Sequence, residues 1–200
     1  MKYLIGIDEV GRGPLAGPLT VCAVSMPRFS KKSRNLIKHF RDSKKLPPQK
    51  RLELFKKADV AQKQGLINFS ISSVSASFID KFGISKAIKR AIKRVLKRLN
   101  LPPKRCLVLL DGSLKAPPEY VSQKTIIKGD QKIRIISCAS VLAKVKRDRG
   151  MIRQSRKYFE YGFEKHKGYG TKKHIEIIKK IGPSKIHRLS FLRKILISKD

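Results

Sequence analysis

Acidic residues are scarce in this chain: 14 Asp and Glu stand against 48 Lys and Arg in 200 residues, a formal charge of +34. Long apolar runs are missing too. Stretches such as 107–110 fall far short of the ~20 residues a membrane-spanning helix needs, so no inserted helix and no membrane partner are expected. Cysteine is rare: Cys22, Cys106 and Cys138 sit singly inside apolar stretches without C-x-x-C spacing. They read as buried free thiols of a reducing compartment, and neither a disulfide framework nor a zinc ribbon is indicated. Asp8 and Glu9 interrupt the apolar stretch 3–7 too early for a secretory signal, so a cytoplasmic location is expected.

What is present is a folded chain with a basic surface. The 40% hydrophobic content separates it from a disordered polybasic tail, and its length suits one domain with a real core. A polyanion is the natural partner. The charge is unevenly spread: residues 1–30 carry net +1, residues 31–130 net +18 and residues 131–200 net +15. Basic residues interleave with apolar ones at structural periods, so no segment reads as a low-complexity tail.

A coarse reading places strands at 3–8 and 19–25, separated by Gly11-Arg12-Gly13-Pro14-Leu15-Ala16-Gly17-Pro18. So short a link makes them antiparallel. A third strand fits 66–74. Ile84, Ala87, Ile88, Ala91, Ile92, Val95, Leu96 and Leu99 follow the 3.6-residue period with bases on the other faces, an amphipathic helix ended by Asn100 and Pro102. The run 106–110 suits a strand buried on both faces, 125–128 a short fifth strand, and 137–158 and 171–181 two more helices, the second closed by Gly182-Pro183. The fold class is therefore α/β: a mixed five-stranded sheet flanked by helices, in a single domain over 1–200 whose part from about 160 to 200 is helical.

With so few acids, the position of each is informative. Asp8 and Glu9 follow one apolar run and Asp111 another. Carboxylates at the ends of buried strands must be paired, neutral or metal-bound, because an isolated buried charge is costly. If the first and fourth strands lie side by side and parallel, the three meet at one sheet edge, where a hard cation such as Mg²⁺ or Mn²⁺ would find oxygen ligands. Pairing with the plentiful bases is the bland alternative. Adjacent strand residues point to opposite faces, so Asp8 and Glu9 share a site only if the pleat breaks or the longer Glu bends back. Asp130, after Lys128-Gly129, is either a fourth acid or a turn residue, and Asp148 is either a helix partner of Lys144 or an auxiliary site group.

The glycines at 11, 13 and 17 superficially suggest a dinucleotide turn. Pro14 lacks an N–H for a phosphate and no G-K-[ST] follows, so that reading is rejected; the turn is either a tight connection or a place of close backbone approach to a ligand. His39, His166, His174 and His187 lack metal spacing and read as surface or hydrogen-bonded groups.

Gly6-Ile-Asp8-Glu9-Val-Gly11-Arg12-Gly13-Pro-Leu-Ala-Gly17-Pro, Asp42-Ser43-Lys44-Lys45-Leu46, Leu109-Leu-Asp111-Gly112, Lys128-Gly129-Asp130, Ala139-Ser-Val-Leu-Ala-Lys144-Val-Lys-Arg-Asp148, His166-Lys167-Gly168-Tyr169 and His187-Arg-Leu-Ser-Phe191 together closely resemble ribonuclease HII, a type 2 ribonuclease H. The sister ribonuclease HIII would be expected to carry Gly-Thr-Gly at 11–13. The resemblance implies an RNase H-like fold and a metal-dependent endonuclease. It would cut the RNA strand of RNA/DNA hybrids and incise 5′ of single ribonucleotides embedded in duplex DNA, leaving 5′ phosphate and 3′ hydroxyl. It further implies that Asp8, Glu9, Asp111 and Asp130 are the catalytic acids holding two Mn²⁺ or Mg²⁺ ions. Gly11, Arg12, Gly13 and Tyr169 would recognise the ribonucleotide at its junction with DNA, with Ser43, Lys44 and Lys45 as candidate phosphate contacts and the C-terminal part as a substrate-binding element of a monomer. Two departures from the family pattern are Gly170, where Pro is usual after Gly-Tyr, and Cys138, where Ala is usual; Gly170 is expected to loosen Tyr169. The rival reading is a non-catalytic basic RNA-binding protein, which explains the charge but gives no reason for carboxylates at strand ends.

Overall fold

Five strands among the described residues form one sheet in the order β3-β2-β1-β4-β5. They are β1 (Tyr3–Val10), β2 (Leu19–Pro27), β3 (Asn68–Val74), β4 (Cys106–Asp111) and β5 (Gln123–Ile126). The computed structural model describes residues 1–40 and 46–197. β1 pairs antiparallel with β2 and parallel with β4, as the connection lengths require; β2–β3 is antiparallel and β4–β5 parallel.

Helices cover both faces. On one, Ile5, Ile7, Leu19, Val21, Val108 and Leu110 pack against the apolar stripe of α4 (Ile84–Leu99). Asn100 ends α4 in the left-handed conformation at φ 50°, and Lys86, Lys89, Lys93 and Lys97 remain exposed. On the other face, Cys22, Val24 and Met26 pack against α6 (Arg134–Ser155), with α1 (Lys31–Ile37) and α2 (Pro48–Lys63) outside it. β1 and the start of α6 meet backbone to backbone, because a Cβ on Gly6 would stand 2.6 Å from the Ile135 carbonyl. A third, smaller core holds Leu15, Ala16, Met151, Tyr161, Phe163, Ile178 and Leu192, and joins the loop after β1 to α7 (Phe163–His166), α8 (Lys172–Ile181) and α9 (Leu189–Ile197).

Several expected boundaries move. The fifth strand is Gln123–Ile126 rather than 125–128, since Lys128 turns left-handed at φ 55° and Asp130 enters a one-turn helix, α5 (Gly129–Lys132). α6 starts at Arg134 and ends at Ser155. α1, α2 and α3 (Ala76–Phe82) were not expected at all: α2 buries only Leu54, Ala58 and Ala61, so small residues and bases blur its periodicity. The three cysteines are free and buried, and no described helix is long and apolar enough to cross a membrane.

Candidate active site

The parallel register Ile7↔Leu110 makes Asp8 and Asp111 the next pair in line, at the C-terminal ends of neighbouring strands. Alternation puts both on the α6 face of the sheet and Glu9 on the other. The β1–β2 ladder runs unbroken to Val10↔Thr20, so the pleat does not break at 8–9; the longer Glu9 side chain reaches the site from beyond the last β1–β4 pair. Asp8, Glu9 and Asp111 line one cavity of about 370 Å³, together with Val10, Arg51, Ser140, Lys144 and Tyr169.

Local hydrogen bonds fix two of the acids. Asp8 Oδ1 accepts from the Glu9 N–H at 2.7 Å. Asp111 Oδ1 accepts from the Gly129 N–H at 2.6 Å, with the Asp130 N–H at 3.4 Å from the same oxygen. Glycine at 129 eases this approach, since a Cβ there would lie 2.8 Å from Ile136 Cδ1 and 3.3 Å from Asp111 Oδ1. Asp130 is buried in the first turn of α5, and its side chain is not among those lining the cavity.

Electrostatically the cavity suits a cation. Burial, and then the charges of Glu9 and Asp111, hold the Asp8 carboxyl well above its ordinary value, against the Ser140 hydroxyl that lowers it. Burial also raises Glu9, although Arg12 Nη1 stands 3.3 Å from its Oε1. Glu9 Oε2 is buried with no hydrogen-bond partner among the described residues. Among the described residues no three His, Cys, Asp or Glu side chains already stand at metal-binding spacing. A carboxylate oxygen without a partner among the described residues and two acids raised by burial and neighbouring charge are nevertheless what a divalent ion would relieve, so the residues fit the group.

The raised Asp8 predicts a pH effect. A carboxyl whose folded pKa lies above its unfolded value costs stability once ionised, and that cost grows as pH rises from the ordinary value of 3.8 toward the folded one. Metal-free Asp8→Asn should therefore melt at higher temperature than the unsubstituted protein at neutral pH, and the gain should vanish below the ordinary carboxylate range. Thermal melts across pH in chelator check this.

The glycine turn is held by two buried arginines. Arg147 on α6 donates to the carbonyls of Pro18, Lys167 and Ala16 at 2.9–3.1 Å. Arg188 donates to those of Gly17, Arg12 and Gly11 at 2.7–3.0 Å. Burial and the Arg147 charge push Arg188 down to about 10, which leaves it protonated at neutral pH with its donors intact. Gly11 has φ +90°, and a Cβ there would meet Arg147 Nε at 2.4 Å. Arg12 and Gly13 are exposed, and their backbone N–H groups donate to no group among the described residues. The Gly168 carbonyl accepts from the Leu15 and Ala16 N–H groups, so the turn and the segment bearing Tyr169 form one unit.

Tyr169 is 39% exposed, with Lys144 Nζ and Arg147 Cζ each 5.6 Å from its ring centroid. Gly170 does not leave it loose: the Tyr169 N–H donates to the His166 carbonyl at 3.0 Å, and the Tyr169 carbonyl accepts from the Thr171 N–H at 2.9 Å and faces His174 Nδ1 at 2.8 Å. Asp148 lies 3.0 Å from Lys144 Nζ, an ion pair off the hydrogen-bonding direction, and lines a second groove of about 490 Å³. That groove shares Arg51, Lys144 and Tyr169 with the acidic cavity and continues past Arg149, Lys165 and Lys167.

The structure thus brings Asp8, Glu9, Asp111 and Tyr169 into one cavity, places Arg12 beside Glu9, and sets Asp130 behind Asp111. Ser43, Lys44 and Lys45 lie outside the described residues. Arg147, Arg188, Arg51 and Ser140 were not singled out from sequence. Arg147 alone left a trace: it occupies the stripe of Ala143 and Met151 at four-residue spacing, where a base is out of place.

The family model described as Ribonuclease HII matches residues 5–194. A protein of Caldicellulosiruptor bescii named Ribonuclease HII is 47% identical over 195 residues, covering 98% of this chain and 89% of its own. One of Clostridium perfringens SM101 with the same name is 43% identical over 195 residues, covering 98% and 68%. The crystal structure of the ribonuclease H2 from Pyrococcus horikoshii OT3 matches with a TM-score of 0.72 at 26% identity, covering 97% of each chain.

Proposed function

The chain belongs to the ribonuclease HII family, and from this we propose that it hydrolyses the RNA strand of RNA/DNA hybrids and incises duplex DNA on the 5′ side of an embedded ribonucleotide. The observation that carries this reading is the convergence of Asp8, Glu9 and Asp111 on one cavity beside Tyr169, in a chain otherwise short of acids. In a protein that only bound RNA, those carboxylates would repel the phosphates and destabilise the fold without return.

Asp8, Glu9 and Asp111, with Asp130 beside Asp111 as fourth acid, would hold Mg²⁺ or Mn²⁺. When bound, two such ions supply an activated water and charge for the leaving 3′ oxygen of an in-line displacement, so no protein nucleophile is needed. The chain's other groups orient the substrate. The free N–H groups of Arg12 and Gly13 are suited to a ribose 2′-oxygen, which is what distinguishes RNA from DNA. Tyr169 is suited to pack on the next deoxyribose and exclude a hydroxyl there. The groove of Arg51, Lys144, Arg149, Lys165 and Lys167 offers a path for the phosphate backbone away from the cut.

Incubation of the purified protein with an end-labelled duplex carrying one ribonucleotide tests this. Incision that needs Mg²⁺ or Mn²⁺, stops with chelator and spares the all-DNA duplex is expected. Binding without incision under either ion would favour the non-catalytic reading.

A further inference from the structure

Behind Tyr169, in the small third core, lie histidines that the proposed chemistry does not use. His174 on α8 and His187 before α9 are buried, not at the surface. The Ser184 N–H donates to His187 Nδ1 at 2.9 Å, so that nitrogen carries no proton. In a neutral ring the proton then sits on Nε2, 3.1 Å from His174 Nε2, which must accept it. His174 is left with its proton on Nδ1, 2.8 Å from the Tyr169 carbonyl, which can only accept. One choice of tautomers therefore satisfies every contact in the row.

We propose that the row Ser184, His187, His174, in this neutral form, is the positioning element for Tyr169, and so sets how well the enzyme tells a ribonucleotide followed by DNA from one followed by RNA. The inference rests on the reading of Tyr169 as the group that packs on the downstream sugar. Tyr169 stands between Gly168, at φ +85°, and Gly170, so the segment has little stiffness of its own and depends on outside anchors. His166 braces the same segment: it accepts from the Gly168 N–H at Nδ1 (3.2 Å), faces the Tyr161 carbonyl through Nε2 (2.7 Å), and stacks on His174 with centroids 4.2 Å apart.

The environment keeps the row neutral. Burial above all pushes both His174 and His187 down to about 4; the other titratable groups facing them are His166 from α7, Tyr161 and Tyr169, with Arg188 following His187 in the chain. A proton added to the pair would set two N–H groups against each other across 3.1 Å.

The test compares kcat/KM for an embedded single ribonucleotide with that for a uniform hybrid. His174→Phe keeps the ring packing against Phe163 but removes the donor, and should lower the ratio by about 10- to 100-fold, the scale of a small misplacement of a positioning group. His174→Asn, whose amide can stand in for Nδ1–H, should restore most of it. In a Tyr169→Ala background, His174→Phe should change the ratio by less than about twofold, because the two substitutions act through one group. If His174→Phe folds and keeps the ratio while Tyr169→Ala loses it, the positioning role is wrong and the reading of Tyr169 stands. If Tyr169→Ala itself leaves the ratio unchanged, both fall. Should His174→Phe fail to fold, ¹⁵N-histidine spectra of the unsubstituted protein decide: one buried ring protonated at Nδ1 and one at Nε2 is expected, and two identical tautomers or a charged ring at neutral pH would overturn the inference.

Discussion

Asp111→Asn should abolish incision while leaving duplex binding nearly unchanged. The substitution is close to isosteric, and the remaining oxygen can still accept the Gly129 N–H bond that ties β4 to α5. What disappears is one negative charge at a cavity shared with Asp8 and Glu9. Holding divalent charge for the transition state contributes several kcal/mol, so the loss in kcat should be about 10³-fold or more. Binding depends instead on bases outside the cavity, and removal of a like charge facing the phosphates does not weaken it. Parallel cleavage and gel-shift measurements separate the two. Equal loss of both would make Asp111 a structural residue. Asp111→Ala is a poorer probe, because it also removes the acceptor for Gly129.

Arg188→Met should be the most destabilising single change near the site. Methionine fills similar length but leaves the carbonyls of Gly11, Arg12 and Gly17 without their donors in a buried or part-buried setting. Each orphaned group costs about 1–3 kcal/mol, and after partial relaxation the total should be about 3–5 kcal/mol, a fall in Tm of roughly 10 °C for a chain of this size. Arg188→Lys should not rescue it, since one ammonium cannot serve three diverging carbonyls as a planar guanidinium does. A lysine variant as stable as the unsubstituted protein would show that the charge, not the fork, matters. Because the same three bonds fix the turn that carries the free Arg12 and Gly13 N–H groups, selectivity for the ribonucleotide should fall along with stability.

The elements that could be read from sequence are those whose pattern is set by burial. α4 announces itself because its apolar positions keep the helical period and every other position except Ser85 is basic. β1 and β4 read as apolar runs because both their faces are covered, and their acids stood out because carboxylates at such ends need a partner. α2 could not be read, since it fully buries only Leu54 and two alanines, with Leu52 and Phe55 partly covered. Asp130 could not be placed, because a one-turn helix after a left-handed Lys128 has no pattern of its own. Arg188 was hidden by composition, since among 48 bases nothing local marks it as buried, and Arg147 left only its place on the stripe of Ala143 and Met151. The row of histidines had no pattern to read, because the contact of His174 with His187 forms only when α8 packs against the turn that precedes α9.

The charge of +34 also gains a location. Bases lie along α4 on the far face of the sheet and along the groove beside the cavity, whereas the turn and acids of the first thirty residues are nearly neutral overall. On the proposed function, attraction to a polyanion and the choice of bond to cut would therefore reside in different parts of the molecule.

The proposed function requires water, and not the substrate's own hydroxyl, to attack the phosphate on the 5′ side of a ribonucleotide. The chemistry of the cut ends tests it most directly. On that side the neighbouring sugar whose 3′ oxygen leaves is a deoxyribose, so no 2′-hydroxyl is in reach of the phosphorus. Incision of the single-ribonucleotide duplex should give an upstream fragment with a free, polymerase-extendable 3′ hydroxyl and a downstream fragment beginning with a 5′-phosphorylated ribonucleotide. A cut on the 3′ side that leaves a 2′,3′-cyclic phosphate would mean attack by the substrate's own hydroxyl, and would contradict the proposed function.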